Sequence, residues 1–239
     1  MSIKDKFTLE QRMERMEALH DCRNLMGRLE TLHGANEYLA CLDLHALKTP
    51  GCSVEFDWGV YEGAEAITRF YKNYHGRNEA STHQPRNGEL HLHTVTTPVI
   101  EIADDLQTVT ATAISPGVET GWMSPTGVRA DKPEAFWLWV KYQFDFVKED
   151  GEWKIWHYKI FNLFISDYYK SWVDMPSGGN KRPPMAEDKA PTRYAPGASP
   201  WTYSVDRPVF NVPAPPVPHA TYSDLPVFDP TDGSIADEG

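Results

Sequence analysis

Two long alternating runs leave this chain little freedom of fold. Phe136–Lys148 and Glu152–Ile165 alternate apolar and polar residues at a period of two, and only Glu149-Asp150-Gly151 separates them. That period belongs to a half-buried strand, and Asp-Gly between two such runs is a strong hairpin signal. Strands this long exceed the usual length of about five or six residues, so they must twist and curl. Glu89–Ile102 reads as another long strand, followed by a turn at Asp104-Asp105 and a strand at Thr108–Ser115. Along Phe136–Lys148, Phe136, Leu138, Val140, Tyr142, Phe144 and Phe146 share one face. Tyr142 is the polar member of that face, and a buried phenol wants a partner.

Helices precede the strands. Thr8-Leu9-Glu10-Gln11 fits a capping box. Leu9, Met13, Met16, Leu19, Met26 and Leu29 then recur at helical spacing, which predicts a helix to about Leu32. A short helix is expected over Tyr38–Leu47, a strand at Ser53–Trp58, and a third helix over Ala64–Tyr74 that stops at Gly76. Helices followed by an antiparallel meander mean α+β. A curled sheet with a helix across its concave side makes a cone-shaped α+β barrel with a pocket inside.

Thirteen of the 19 prolines fall between Pro176 and Pro230. The compact domain is therefore placed at residues 1–175, and residues 176–239 are read as a Pro-rich extended C-terminal arm. That arm carries Tyr194, Trp201, Tyr203, Phe210 and Tyr222. Such residues suit docking onto the chain's own domain or onto a neighbouring subunit of a homo-oligomer.

The formal net charge of −11 disfavours nucleic acid and anionic membrane surfaces as partners, since both need a basic face. Cys22, Cys41 and Cys52 are odd in number and lie at no metal-ligand spacing. The N-terminus lacks the apolar run of a signal peptide, and no stretch approaches the roughly 20 apolar residues of a membrane helix, so a cytoplasmic protein is expected. There is no glycine-rich phosphate loop, no Gly-x-Ser-x-Gly elbow and no His-Glu-x-x-His, which argues against nucleotide, serine-nucleophile and zincin chemistry.

Several residues could carry chemistry. His91 and His93 lie two apart and share one strand face. No third ligand follows at a recognisable spacing, so no metal is expected, and a single acid/base histidine is the better reading. His157 alternates with Trp153 and Ile155 and would face the pocket with them. Tyr61 could stand at the pocket mouth. Glu119 lies in the Gly/Pro-rich connection Ser115–Lys132, read as a lid. Phe56, Trp58, Trp122 and Phe144 are candidate aromatic walls for a substrate. His33, ending the first helix, is given the plainer role of favouring that helix C-terminus.

Leu92-His93-Thr94-Val95-Thr96-Thr97-Pro98-Val99-Ile100-Glu101-Ile102 resembles the central strand of SnoaL-like proteins, in the nuclear transport factor 2-like (NTF2-like) superfamily. Lys141–His157 resembles the family's closing hairpin, and Trp58-Gly59-Val60-Tyr61-Glu62-Gly63 its strand-to-helix junction. The resemblance covers about residues 8–170 and implies an oligomeric cone with a ligand cavity. Within the superfamily, scytalone dehydratase has an active-site histidine that matches His93. Its hairpin asparagine falls at Tyr142 and its second histidine near Glu119, both departures in residue type. Its tyrosine–aspartate pair falls near Leu32 and His33, where that pattern is absent. The chain is also similar to diarylpropane lyases of bacterial lignin-dimer catabolism. These release formaldehyde from a 1,2-diarylpropane-1,3-diol without a cofactor and leave a stilbene.

Two function classes follow from the resemblance. The first is a cofactor-independent lyase on a hydroxylated aromatic substrate, with His93 or His157 as general acid and Tyr142 or Tyr61 deprotonating the phenol as a quinone methide forms. A dehydratase or isomerase is its nearest variant. The second is a non-catalytic small-molecule-binding module.

Overall fold

The computed structural model describes residues 6–76, 87–123, 129–174, 185–195, 199, 201–206, 208 and 211–225, with the side chains of residues 122–131 outside that set. Helix α1 spans Leu9–Gly34. Thr8 caps it as expected: its Oγ1 accepts from the Gln11 amide at 3.2 Å, and the Gln11 side chain accepts from the Thr8 amide at 3.0 Å. Thr8→Ala is expected to lower the unfolding free energy by about 1 kcal/mol. It would be read as a lower urea midpoint at unchanged slope; an unchanged midpoint would mean that the cap does not hold the first turn.

The face α1 buries is not the one its large apolar residues suggest. Ala18, Cys22, Met26, Leu29 and Glu30 are buried, whereas Leu9 and Met16 are 67% and 72% exposed. The Leu9-Met13-Met16 stripe lies on the opposite side of the helix from Ala18 and Cys22 at 100° per residue.

Helix α2 (Tyr38–Leu42) follows a tight turn in which Asn36 takes a positive φ of 60°, a conformation asparagine tolerates. The strand expected at Ser53–Trp58 is a hairpin of two short strands, β1 (Ser53–Phe56) and β2 (Gly59–Glu62). Helix α3 (Gly63–Arg69) continues into a π-helical turn at Phe70–His75. The long strand expected at Glu89–Ile102 is broken into β3 (Leu90–His93) and β4 (Thr96–Ile102). Both pair with β5 (Thr108–Met123), and β5 pairs with β6 (Arg129–Glu149). Pro116 of β5 lies opposite the break at Thr94-Val95, where a missing amide donor does no harm. The Thr94 hydroxyl donates to the Pro116 carbonyl there at 2.9 Å. The Ser115–Lys132 stretch read as a lid is therefore strand as far as Met123 and again from Arg129.

Strand β7 (Glu152–Asp167) closes the hairpin with β6. Asp150 and Gly151 both take positive φ, 53° and 86°, as a two-residue turn matched to strand twist requires. The sheet order is β3-β5-β6-β7-β1-β2-β8, where β8 is Arg193–Tyr194 and β4 pairs with β5 off that path. The architecture is α+β: a curved, unclosed, mainly antiparallel sheet against the N-terminal helices, with β1 parallel to β7.

The inner face of β6 carries Leu138, Val140, Tyr142, Phe144 and Phe146 as expected, packed on α1 and on Ile67, Phe70 and Tyr71. Two bulges interrupt β7, one at Trp156 and one at Leu163, where β7 holds an extra residue against β6. Each reverses which face a given parity occupies.

Part of the described C-terminal segment packs on the outer surface of the same chain. Trp201 and Val212 form a small buried cluster with Phe161. The Trp201 indole donates to Oδ1 of Asp57 at 2.9 Å. Among the described residues no helix is long and apolar enough to cross a membrane.

Candidate active site

A cavity of about 380 Å³ lies between the sheet and the helices. Three groups of side chains line it. One is an aromatic wall: Phe56 and Trp58 stack with ring centroids 4.2 Å apart, beside Phe70 and Tyr74. The second is a histidine–carboxylate wall, and the third a buried end built around Glu30. Among the described residues the lining holds no lysine or arginine.

The histidine wall is a product of strand register. His91 and His93 alternate inward along β3 while Leu90 and Leu92 face out. Glu119 of β5 sits directly across from His91. Its Oε1 lies 2.9 Å from Nε2 of His93 and 3.6 Å from Nδ1 of His91. Gly117, across from His93, leaves room for that imidazole: a Cβ there would come within 3.2 Å of its Nδ1. Burial alone would lower the pKa of His93. The Glu119 hydrogen bond and charge, with the more distant Glu30 charge, outweigh it and raise the pKa. Glu119 is opposed by its own burial, yet the two adjacent imidazoles, with His93 hydrogen-bonded to it, hold it well below the usual carboxylate range. The arrangement is a histidine–carboxylate dyad in which Glu119 favours the protonated form of His93, as a general acid requires.

His33, from the last turn of α1, packs its ring edge-on against His91 and His93, with centroids 5.6 and 5.3 Å away. Burial and the adjacent His93 and His91 charges push it down to about 3, so it is a neutral imidazole at physiological pH. Helix-end placement therefore gives it a cavity role rather than the charged capping role expected from the sequence.

The buried end is one helical turn before His33. Glu30 is 6% exposed, and the Tyr158 hydroxyl donates to its Oε1 at 2.8 Å. Burial raises the Glu30 pKa, opposed by the His93 charge and by hydrogen bonds from Tyr158 and Tyr142. Burial, with the Glu30 charge next, raises Tyr142 and Tyr158 well above the ordinary phenol value. Both tyrosines are thus hydrogen-bond donors, not bases, which corrects the base role expected for Tyr142.

The expected site residues divide sharply. His93, His91, Glu119, Tyr142, Phe56 and Trp58 all line the cavity. Phe144 does not; it is fully buried behind the wall, stacked on Tyr158 at 4.7 Å. Tyr61 is also fully buried, and its hydroxyl donates to the Lys189 carbonyl at 2.9 Å, outside the cavity lining. The Trp122 side chain lies outside the described residues. His157 points to the outer face of the sheet, because the bulge at Trp156 shifts the parity after Ile155 and puts Tyr158 inward instead. There Nδ1 of His157 sits 3.0 Å from buried Asp145, and Tyr222 bonds to both. Glu30, His75, Tyr158 and Asn162 were not singled out in the sequence. Glu30 carried one available signal: it shares a helical face with Met26, a strange place for a carboxylate.

His91, His93 and Glu119 each offer one donor atom, all within 4.8 Å of one another, so this set could hold a metal ion. The third ligand absent from local spacing comes from the opposite strand.

The SnoaL-like domain model matches residues 41–159. No curated protein shows a significant sequence match. Among solved structures, the chain is similar to hexachlorocyclohexane dehydrochlorinase LinA-type3 from Novosphingobium barchaimii LL02. The two are 11% identical with a TM-score of 0.50, over 72% of this chain and 99% of that one. An NTF2-like protein with a cystatin-like fold from Novosphingobium aromaticivorans aligns at 15% identity and a TM-score of 0.46, over 66% and 90%. The first is a likeness of fold alone. With the curved sheet laid on N-terminal helices and the family model matched across its centre, the chain carries a SnoaL-like domain of the NTF2-like superfamily.

Proposed function

We infer that this protein is a lyase acting on a neutral, hydroxylated aromatic compound. The best candidate reaction is the conversion of a 1,2-diarylpropane-1,3-diol to a stilbene, water and formaldehyde. The observation that carries the reading is the His93–Glu119 dyad inside an aromatic-walled cavity. The lining supplies flat apolar surface for rings; its described residues include no lysine or arginine, and His93 is already paired with Glu119, so nothing there favours a carboxylate or phosphate substrate.

In this reading His93 works twice. As an imidazolium held by Glu119, it donates its proton to the benzylic hydroxyl, which leaves as water. The para-hydroxyaryl ring loses its phenolic proton and becomes a quinone methide. Neutral His93 then takes the proton of the terminal hydroxyl. The electron pair of the C–C bond returns to the ring, formaldehyde departs, and the stilbene double bond forms. His93 ends as it began, and rearomatisation drives the last step. Placing the intermediate between the sheet and the helices limits its contact with water.

Chelator-treated protein with such a diol tests this directly, following stilbene absorbance and trapped formaldehyde together. Both products in equal amounts, with turnover unaffected by the chelator, are expected. Water loss without formaldehyde would replace the lyase with a dehydratase. Activity that vanishes on chelation and returns with a divalent ion would assign His91, His93 and Glu119 to a metal. Binding without turnover would favour the non-catalytic module.

A further inference from the structure

The lyase reading leaves the phenolic proton without an acceptor. Tyr142 and Tyr158 are held as donors, and His93 is occupied at the benzylic carbon. Glu30 is the remaining acid/base group at the buried end. It lines the cavity, and its two oxygens can accept more than the bonds Tyr158 and Tyr142 supply. The surroundings fit a ring: Leu138 and Val140 of β6 and Ile160 of β7 contribute apolar side chains, and Phe70 and Tyr71 add aromatic ones.

We propose that Glu30, steadied by Tyr158 and Tyr142, binds the para-hydroxyl of the substrate ring and carries its proton. The carboxylate takes the phenolic proton as the C–O bond breaks and the quinone methide forms. It returns that proton when the C–C bond breaks and the ring becomes aromatic again. Atoms and electrons balance, because each of the two groups gives and receives one proton per turnover. The charges also move together. Glu30 acts in its carboxylate form: burial raises its pKa and favours the neutral acid, while the Tyr158 hydrogen bond and the nearby His93 oppose that shift. Glu30 and His93 are both neutral in the quinone-methide complex, and both recharge on product formation. A buried carboxylate is costly alone, and the tyrosine hydrogen bonds and the His93 charge are what make its ionised form accessible. The assignment rests on the lyase reading for its chemistry, but its binding half can be read without turnover.

The test uses the full chain and two probes, 4-hydroxystilbene and 4-methoxystilbene, with binding followed by quenching of tryptophan fluorescence. Wild type is expected to bind the phenol about tenfold more tightly than its methyl ether. Glu30→Gln keeps a donor and an acceptor in the same volume, so that preference should hold within about threefold, while kcat for the diol falls about 100-fold or more at similar KM. Tyr158→Phe should cut the binding preference by about threefold or more, because Glu30 loses its orienting donor. Folded Glu30→Gln turning over at the wild-type rate would overturn the proton-carrying role. Equal binding of the two stilbenes by wild type would overturn the phenol site, whether or not the diol is cleaved. Wild type that prefers the phenol but yields no formaldehyde would overturn the lyase reading and the proton transfer with it.

Discussion

His93→Gln is expected to lower kcat/KM for the diol by about 100- to 10,000-fold, the range for losing one positioned acid/base group. Glutamine keeps a polar group near Glu119 but cannot exchange a proton with substrate. The pH dependence gives a sharper readout. His93 must be protonated to expel the benzylic hydroxyl, and its pKa is raised because Glu119 outweighs the effect of burial. Wild-type kcat/KM should therefore fall on the alkaline side, with an apparent pKa above the ordinary histidine value. Glu119→Gln removes the charge that holds this proton. The alkaline limb should then move to lower pH, and activity at neutral pH should drop. An alkaline limb that stays in place in Glu119→Gln would show that another group donates the proton.

The second large effect concerns stability. Asp57, in the turn between β1 and β2, is 2% exposed, and burial raises its carboxyl to about 7 against its hydrogen bonds from Asn162, Trp201 and Ser199. The native form therefore holds a proton that the unfolded form releases near pH 4. Below pH 4 this group costs nothing. Between about pH 4 and 7 the unfolded state ionises alone, and stability is lost, by about 4 kcal/mol in total. Asp57→Asn keeps the Oδ1 acceptor for Trp201 and cannot ionise. Its unfolding free energy should fall less steeply than that of wild type across this window, as read from urea midpoints at each pH. Parallel profiles for the two proteins would contradict the protonated state. The consequence reaches the cavity, because Asn162 lines it while holding Asp57, and Trp201 ties the C-terminal segment to the same carboxyl.

Local signals in the sequence were reliable where one residue or one turn decides the outcome. The Thr8 capping box and the Asp150-Gly151 hairpin appear as the residues imply. The inward face of β6 does too, because an unbroken alternation over its inner half keeps one parity on one side. Local reading failed where a distant partner interrupts the pattern. Counting from Ile155 places His157 inward. The bulge at Trp156 is invisible in composition, and it exchanged His157 for Tyr158. Pro116 suggested a lid, but the adjoining strand breaks where Pro116 lacks its donor, so the sheet continues through it. Tyr61 looked like a mouth residue and instead bonds a carbonyl more than a hundred positions away in the chain.

The candidate site shows the same division. The sequence alone determined the α+β class, a curled sheet with a helix across it, and that His91 and His93 share one strand face, since periodicity and turn chemistry act over a few residues. Only the tertiary structure decided which carboxylate serves those histidines, because Glu119 is set opposite His91 by the register of two strands. It also decided that Glu30, on a helix face that local reading treats as core, meets two tyrosines from β6 and β7. Electrostatic environment is a property of what surrounds a group from every side, and the chain acquires it only when the sheet closes over the helix.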